Sequence, residues 1–133
     1  MVFTVQREVG VRMAAGPGTK AYGALSVAVA YGGICKKLFG ISAGAFVPKP
    51  EVDSVVVRVD PVEPRLDPER ERVFFALMRA AFGQRRKTLL NAVAEAAGGK
   101  EAAGGLLRRA GIDGSRRGET LTLDEFLMLA GAW

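Results

Sequence analysis

Three cations stand in a row in Gly83-Gln84-Arg85-Arg86-Lys87-Thr88, directly ahead of Leu89-Leu90-Asn91. The apolar stripe Leu89, Leu90 and Val93, with Gly98-Gly99 as the stop, predicts a helix over 87–97. That reading puts the cations in the first turn, where the macrodipole disfavours positive charge by about 0.3–1 kcal/mol each. A helix N-terminus with free N–H groups, lined by Arg forks, is suited to a phosphate. A solvated charged face explains a charge triplet equally well. A second candidate is Ala45-Phe46-Val47-Pro48-Lys49-Pro50-Glu51-Val52-Asp53-Ser54, where two prolines make a stiff extended loop that fixes Phe46 ahead of a strand. An aromatic held there can stack on a nucleobase, as enzymes acting on flipped bases require; packing under the loop as core is the plainer alternative. The third, Gly16-Pro17-Gly18-Thr19-Lys20-Ala21-Tyr22-Gly23, is glycine-rich and carries Lys20, but it lacks P-loop spacing and reads first as a turn. Cys35 sits in an apolar context beside Lys36 and reads as a structural thiol. Glu8, Glu51 and Asp53 are isolated carboxylates suited to surface or cap roles.

What is missing narrows the chemistry further. The 133 residues include no histidine, which removes Ser–His and Cys–His nucleophiles together with imidazole metal sites. A single cysteine excludes an internal disulfide and a multi-thiolate zinc site. Nineteen Lys+Arg against fourteen Asp+Glu give a net +5 and a pI near 9.8, a mild pull toward polyanions. The excess is local: residues 79–109 hold seven cations against Glu95 and Glu101. Thirteen of the nineteen cations are Arg, whose planar fork suits phosphate. At 49% hydrophobic residues the chain can build a core, and no apolar run approaches the roughly 20 residues of a membrane span. Met1–Val5 lacks the basic and apolar regions of a secretory signal, so a cytoplasmic location is expected.

These segments need elements to hold them. Strands are predicted over 1–6, 34–41 (interrupted by Lys36-Lys37) and 53–60. Val55, Val56, Val57 and Val59 suggest cover on both faces of the last. Helices are predicted over 7–15 and 22–31, the second apolar nearly all round and therefore buried. Pro61–Pro64 then acts as a hinge, and the pattern becomes purely helical. Asp67-Pro68-Glu69 supplies N-cap, N1 proline and first-turn acid for a helix reaching about residue 82. A weaker helix over 101–110 contains Gly104-Gly105. Thr122-Leu123-Asp124-Glu125 is a capping box for the last, with Leu121 and Phe126 at the staple positions. The fold class is therefore α/β, with a sheet unit over 1–65 and a small all-helical unit over 66–133. Three strands are few for an open doubly wound sheet, and no glycine-rich strand-to-helix turn precedes residue 10.

Five strings together resemble the KsgA-type ribosomal RNA small-subunit adenine-N6 dimethyltransferases (dimethyladenosine transferases). They are Val5-Gln6-Arg7-Glu8-Val9, the Gly16–Ser26 segment, Phe46-Val47-Pro48-Lys49-Pro50-Glu51-Val52-Asp53-Ser54, Ala81-Phe82-Gly83-Gln84-Arg85-Arg86-Lys87-Thr88-Leu89, and Arg117-Gly118-Glu119-Thr120-Leu121. The second proline-containing string and the QRRKT string are the specific ones. The resemblance is to the C-terminal half of such an enzyme. It implies the last strands of a Rossmann-like methyltransferase sheet, followed by a helical domain. The implied family reaction is S-adenosylmethionine-dependent dimethylation of two adjacent adenosines in 16S ribosomal RNA, during maturation of the small subunit in the cytoplasm. Phe46 matches the aromatic that flanks the target base; Gln84, Arg85, Arg86 and Lys87 match a basic segment presented to rRNA. Lys20, Arg116 and Arg117 are weaker candidates for backbone contact. The family's glycine-rich cofactor loop and Asn-(Leu/Ile)-Pro-Tyr motif do not occur in this chain, so no catalytic residue is assigned. The chain alone is expected neither to bind S-adenosylmethionine nor to methylate. Its expected partner is 16S rRNA and the small ribosomal subunit, with no membrane, and an exposed sheet edge is expected to favour self-association. Two readings remain beside this one: a freestanding RNA- or DNA-binding helical module without catalysis, and a structural fragment without activity.

Overall fold

A computed structural model describes residues 1–83 and 86–133. The chain divides into two compact units, Met1–Glu63 and Pro64–Trp133. Among the described residues no helix is long and apolar enough to cross a membrane.

In the first unit, β1 (Val2–Gln6) leads directly into α1 (Arg7–Met13). Then come α2 (Ala24–Gly32), β2 (Gly33–Ile41), a short 3-10 turn at Ala43–Ala45, and β3 (Ser54–Pro61). The sheet order is β1-β3-β2, so the valine-rich strand lies in the middle, antiparallel to both neighbours. Register sets the faces. Val55, Val57 and Val59 alternate onto one side, and α1 lies on that side through Gly10, where a Cβ would run into the Val55 side chain. Val56 on the opposite side is also buried, whereas Arg58 beside it is exposed. The expected cover on both faces therefore holds for Val56 and stops at Arg58.

Two sequence expectations change here. Lys36 and Lys37 do not interrupt β2: they pair with Arg58 and Val57, and the irregularity falls one residue later, between Lys37 and Phe39. Outer-strand lysines can extend into solvent, so the ladder tolerates them. Helix α2 is not buried all round. Ser26, Val27 and Tyr31 face inward, but Leu25 is 41% exposed.

The second unit is helical: α3 (Pro68–Gly83), α4 (Leu89–Ala97), α5 (Lys100–Ala110), a 3-10 turn at Gly118–Thr120, and α6 (Leu123–Ala132). Asp67 caps α3, its Oδ1 accepting the Arg70 N–H at 2.8 Å. Phe74, Leu77, Leu89, Val93, Leu106, Leu121, Phe126 and Leu129 form the buried interior. Phe126 lies edge-on to Phe74, with ring centroids 6.4 Å apart, and also meets Phe82. The α6 capping box forms as its sequence predicts. Thr122 Oγ1 accepts the Glu125 N–H at 3.1 Å, and Glu125 Oε1 accepts the Thr122 N–H at 3.0 Å. Helix α5 runs unbroken through Gly104-Gly105, because its face of Ala103, Leu106, Leu107 and Ala110 is buried. Packing outweighs the glycine penalty. Gly98 and Gly111 close α4 and α5 at φ of 87° and 71°, the left-handed geometry that favours glycine.

Gly118 gives a direct test of this packing. A Cβ there would lie 2.8 Å from both the Cβ and the carbonyl oxygen of Ala81 in α3, and a backbone oxygen cannot move aside cheaply. Gly118→Ala is expected to cost about 1–3 kcal/mol, the usual range for overpacking. Gly131→Ala, whose Cβ would meet nothing within 4 Å in α6, should be neutral or stabilising by up to about 1 kcal/mol. Urea midpoints followed by far-UV circular dichroism compare the two.

Candidate nucleic-acid interface

Helix α4 begins later than its sequence suggested. Thr88 is the N-cap, its hydroxyl oxygen accepting the Asn91 N–H at 3.4 Å. Arg86 and Lys87 are exposed and lie just outside the helix, two residues and one residue before the cap respectively. They therefore do not occupy the first turn, and the dipole penalty inferred from that placement falls away. Gln84 and Arg85 lie outside the described residues. The helix N-terminus also differs from the free donor array expected for a phosphate. The Leu89 N–H donates to the Arg116 carbonyl at 2.6 Å, and the Leu90 N–H to the Gly114 carbonyl at 3.0 Å. These two donors are therefore occupied within the protein.

Those carbonyls belong to the loop between α5 and α6, which is itself tightly held. Asp113 Oδ1 accepts both the N–H and the hydroxyl of Ser115, at 2.9 and 2.8 Å, and these bonds hold its carboxyl below the usual range. Gly114 fits against Leu90 and Leu107, each 3.2 Å from where a Cβ would sit. The Arg116 guanidinium turns inward and meets both carboxylate oxygens of Glu125. It also donates to the Thr120 carbonyl at 2.7 Å and to the Thr120 hydroxyl at 3.3 Å. The hydrogen bond from Arg116 lowers the pKa of Glu125, while the same bond raises that of Arg116. Arg117 is exposed, and its carbonyl accepts the Thr120 N–H and hydroxyl at 3.0 and 2.7 Å. The backbone bonds from Leu89 and Leu90 thus join the segment that follows Arg86-Lys87 to the segment that carries Arg116-Arg117, far apart in sequence.

Lys20 and Phe46 belong to the first unit. Lys20 is exposed in a turn tied by Thr19, whose hydroxyl donates to the Gly16 carbonyl at 2.8 Å. Gly18 there adopts φ 80°. Downstream, Ser26 is buried, accepting the Gly23 N–H at 3.2 Å and donating to the Arg12 carbonyl, so the turn joins α1 to α2. Phe46 is half-buried, just after the Ala43–Ala45 turn that Ser42 caps. The Val47–Pro48 peptide is cis, and Val47 is 99% exposed. Asp53 anchors this loop. Its Oδ1 accepts the Ala43 N–H at 2.9 Å, and its carbonyl accepts the Arg7 N–H at 2.9 Å. The Cys35 thiol is half-buried with its pKa raised by desolvation, in keeping with a structural residue. Among the described residues no group of three His, Cys, Asp or Glu could hold a metal ion.

Asp53 takes the cap role expected of an isolated carboxylate, and Glu125 adds a partner beyond its capping box. Glu125 had a visible signal as the N3 acid of a capping box, but its second partner is nine residues away. The residues around Asp53 do not identify which segment it caps, because its partner N–H belongs to a turn ten residues upstream.

Comparison with known proteins agrees with this architecture. Residues 1–130 match the family model for ribosomal RNA adenine dimethylase. The ribosomal RNA small subunit methyltransferase A of Pelotomaculum thermopropionicum is 52% identical over 137 residues, covering 100% of this chain and 46% of that protein. Its namesake in Alkaliphilus oremlandii is 47% identical over 135 residues, covering 98% and 46%. The chain thus spans about half the length of these curated relatives. Among solved structures, a dimethyladenosine transferase from Plasmodium falciparum superposes with a TM-score of 0.77 at 23% identity, over 96% of this chain and 54% of that one. The 23S rRNA methyltransferase ErmE does so with 0.67 at 16%, over 98% and 53%. These two likenesses establish a shared fold, an α/β sheet unit followed by helices. The family match and the curated relatives go further: the chain belongs to the ribosomal RNA adenine dimethylase family.

Proposed function

We propose that this chain supplies the rRNA-gripping part of a small-subunit adenine-N6 dimethyltransferase, together with one wall of the pocket for the target adenine. The observation that carries the reading is the docking of two basic segments onto each other by the Leu89–Arg116 and Leu90–Gly114 hydrogen bonds. Arg86 and Lys87 are exposed on one of these segments and Arg117 on the other, and phosphate contact is assigned to all three. Gln84 and Arg85 extend the same segment in sequence. In the first unit, Lys20 is a further backbone contact, and Phe46 stacks against the target base from a loop that Asp53 ties down. The substrate is 16S rRNA within the small ribosomal subunit, reached in the cytoplasm and without a membrane.

The methyl donor of the proposed reaction is S-adenosylmethionine, and the residues of this chain do not fit it. The β1-to-α1 junction at Gln6-Arg7 contains no glycine, and its Arg7 N–H is occupied by the Asp53 carbonyl. Neither a glycine-rich strand-to-helix turn nor an Asn-Pro-Tyr type motif occurs among the 133 residues. We therefore assign this chain no catalytic residue and no methyl transfer by itself.

Neutralising Arg85, Arg86 and Lys87 together should flatten the salt dependence of rRNA affinity by about three phosphate contacts, about 0.7–0.9 log units of slope for each. An unchanged slope favours the reading of a structural fragment. A reduced slope with no preference for 16S rRNA over unrelated RNA or DNA favours a freestanding nucleic-acid module. Calorimetry with S-adenosylmethionine should detect no micromolar binding by this chain alone. Because β1 is an outer strand with Val2 and Phe3 exposed, sedimentation should show a mass that rises with protein concentration.

A further inference from the structure

Arg116 has the sequence context of an RNA contact, yet its geometry assigns it other work. Its guanidinium makes four hydrogen bonds inside the protein: two to the Glu125 carboxylate and two to Thr120. The side chains of the pair are only 32% and 23% exposed. Glu125 is fixed from its other side by the α6 capping box, where it also accepts the Thr122 N–H. The backbone of the same arginine meanwhile closes the first turn of α4, accepting the Leu89 N–H at 2.6 Å two residues after Lys87. One residue thus joins the start of α6 to the start of α4, and the exposed pair Arg86-Lys87 leaves the helix at that junction. We propose that Arg116 is a positioning residue: held by Glu125 and Thr120, it sets the direction in which Arg86 and Lys87 are presented to RNA, and it does not touch the RNA itself.

This inference rests on the RNA-binding reading above, and the sign of one substitution separates positioning from direct contact. A direct contact freed from its acidic partner binds RNA more tightly, since Glu125→Gln removes a negative charge beside it. A positioning residue predicts the reverse. Glu125→Gln should weaken binding of a fluorescein-labelled transcript of the 3′ region of 16S rRNA by about 3- to 30-fold, which lies within the range of coupling in one hydrogen-bonded network. Arg116→Lys keeps the charge but loses the planar fork, so it should weaken binding comparably, whereas a simple phosphate contact would survive it. In an Arg86→Gln/Lys87→Gln background, Glu125→Gln should have no further effect on RNA affinity, although it should still lower the urea midpoint. That background dependence is what a merely structural role would not produce. Should Glu125→Gln not fold, Arg116→Lys in the two backgrounds carries the same comparison. Amide exchange at Leu89 and Leu90 in the milder variant should accelerate at least about tenfold relative to Leu106 in α5, because their acceptors sit on the loop that Arg116 holds. Tighter or unchanged binding by both variants, or an equal effect in both backgrounds, overturns the positioning role. Loss of no affinity in the Arg86→Gln/Lys87→Gln protein overturns instead the RNA reading beneath it.

Discussion

Helix α4 begins on borrowed acceptors. Its first backbone donors are not solvated and are not offered to an anion; they are closed by carbonyls of the Gly114–Arg116 segment. A buried N–H without a partner costs about 1–3 kcal/mol, so this junction constrains everything around it. It fixes the loop after α5 against α4, and through the Arg116–Glu125 pair it fixes the start of α6 as well. The aromatic contact between Phe126 and Phe74 then joins α6 to α3. These helices are thereby coupled through a few groups.

Much of this was legible in the residues. Asp67-Pro68-Glu69, Thr122–Glu125 and the glycines after α4 and α5 are local signals, each acting within four or five positions, and each marks a helix end that the structure contains. The valine run in β3 likewise announces a buried strand. What local reading cannot supply is the partner at long range. The start of α4 was placed too early because Arg86 and Lys87 can join a helix by propensity. The position is set instead by Thr88 and by carbonyls more than twenty residues away. The same gap hid the partner of Arg116 and the role of Asp53. It also made Lys36-Lys37 look like a break in a strand whose irregularity lies at Leu38.

The first unit follows another principle, in which one polar residue organises two local structures. Asp53 sits at the entrance of β3 and receives an N–H from the start of α1 and another from the turn before Phe46. Ser26 plays the matching part between α1 and α2. Short helices with few core residues gain definition from such shared acceptors, since one residue fixes two backbone segments.

The two outer strands of the sheet are built differently. Strand β2 carries Lys36 and Lys37 and a register shift at Leu38, features that discourage another strand from adding there. Strand β1, with Val2, Phe3, Thr4 and Val5, has no such protection along its length. The sheet of this unit therefore has one margin, along β1, that could accept a further strand and one, along β2, that is blunted.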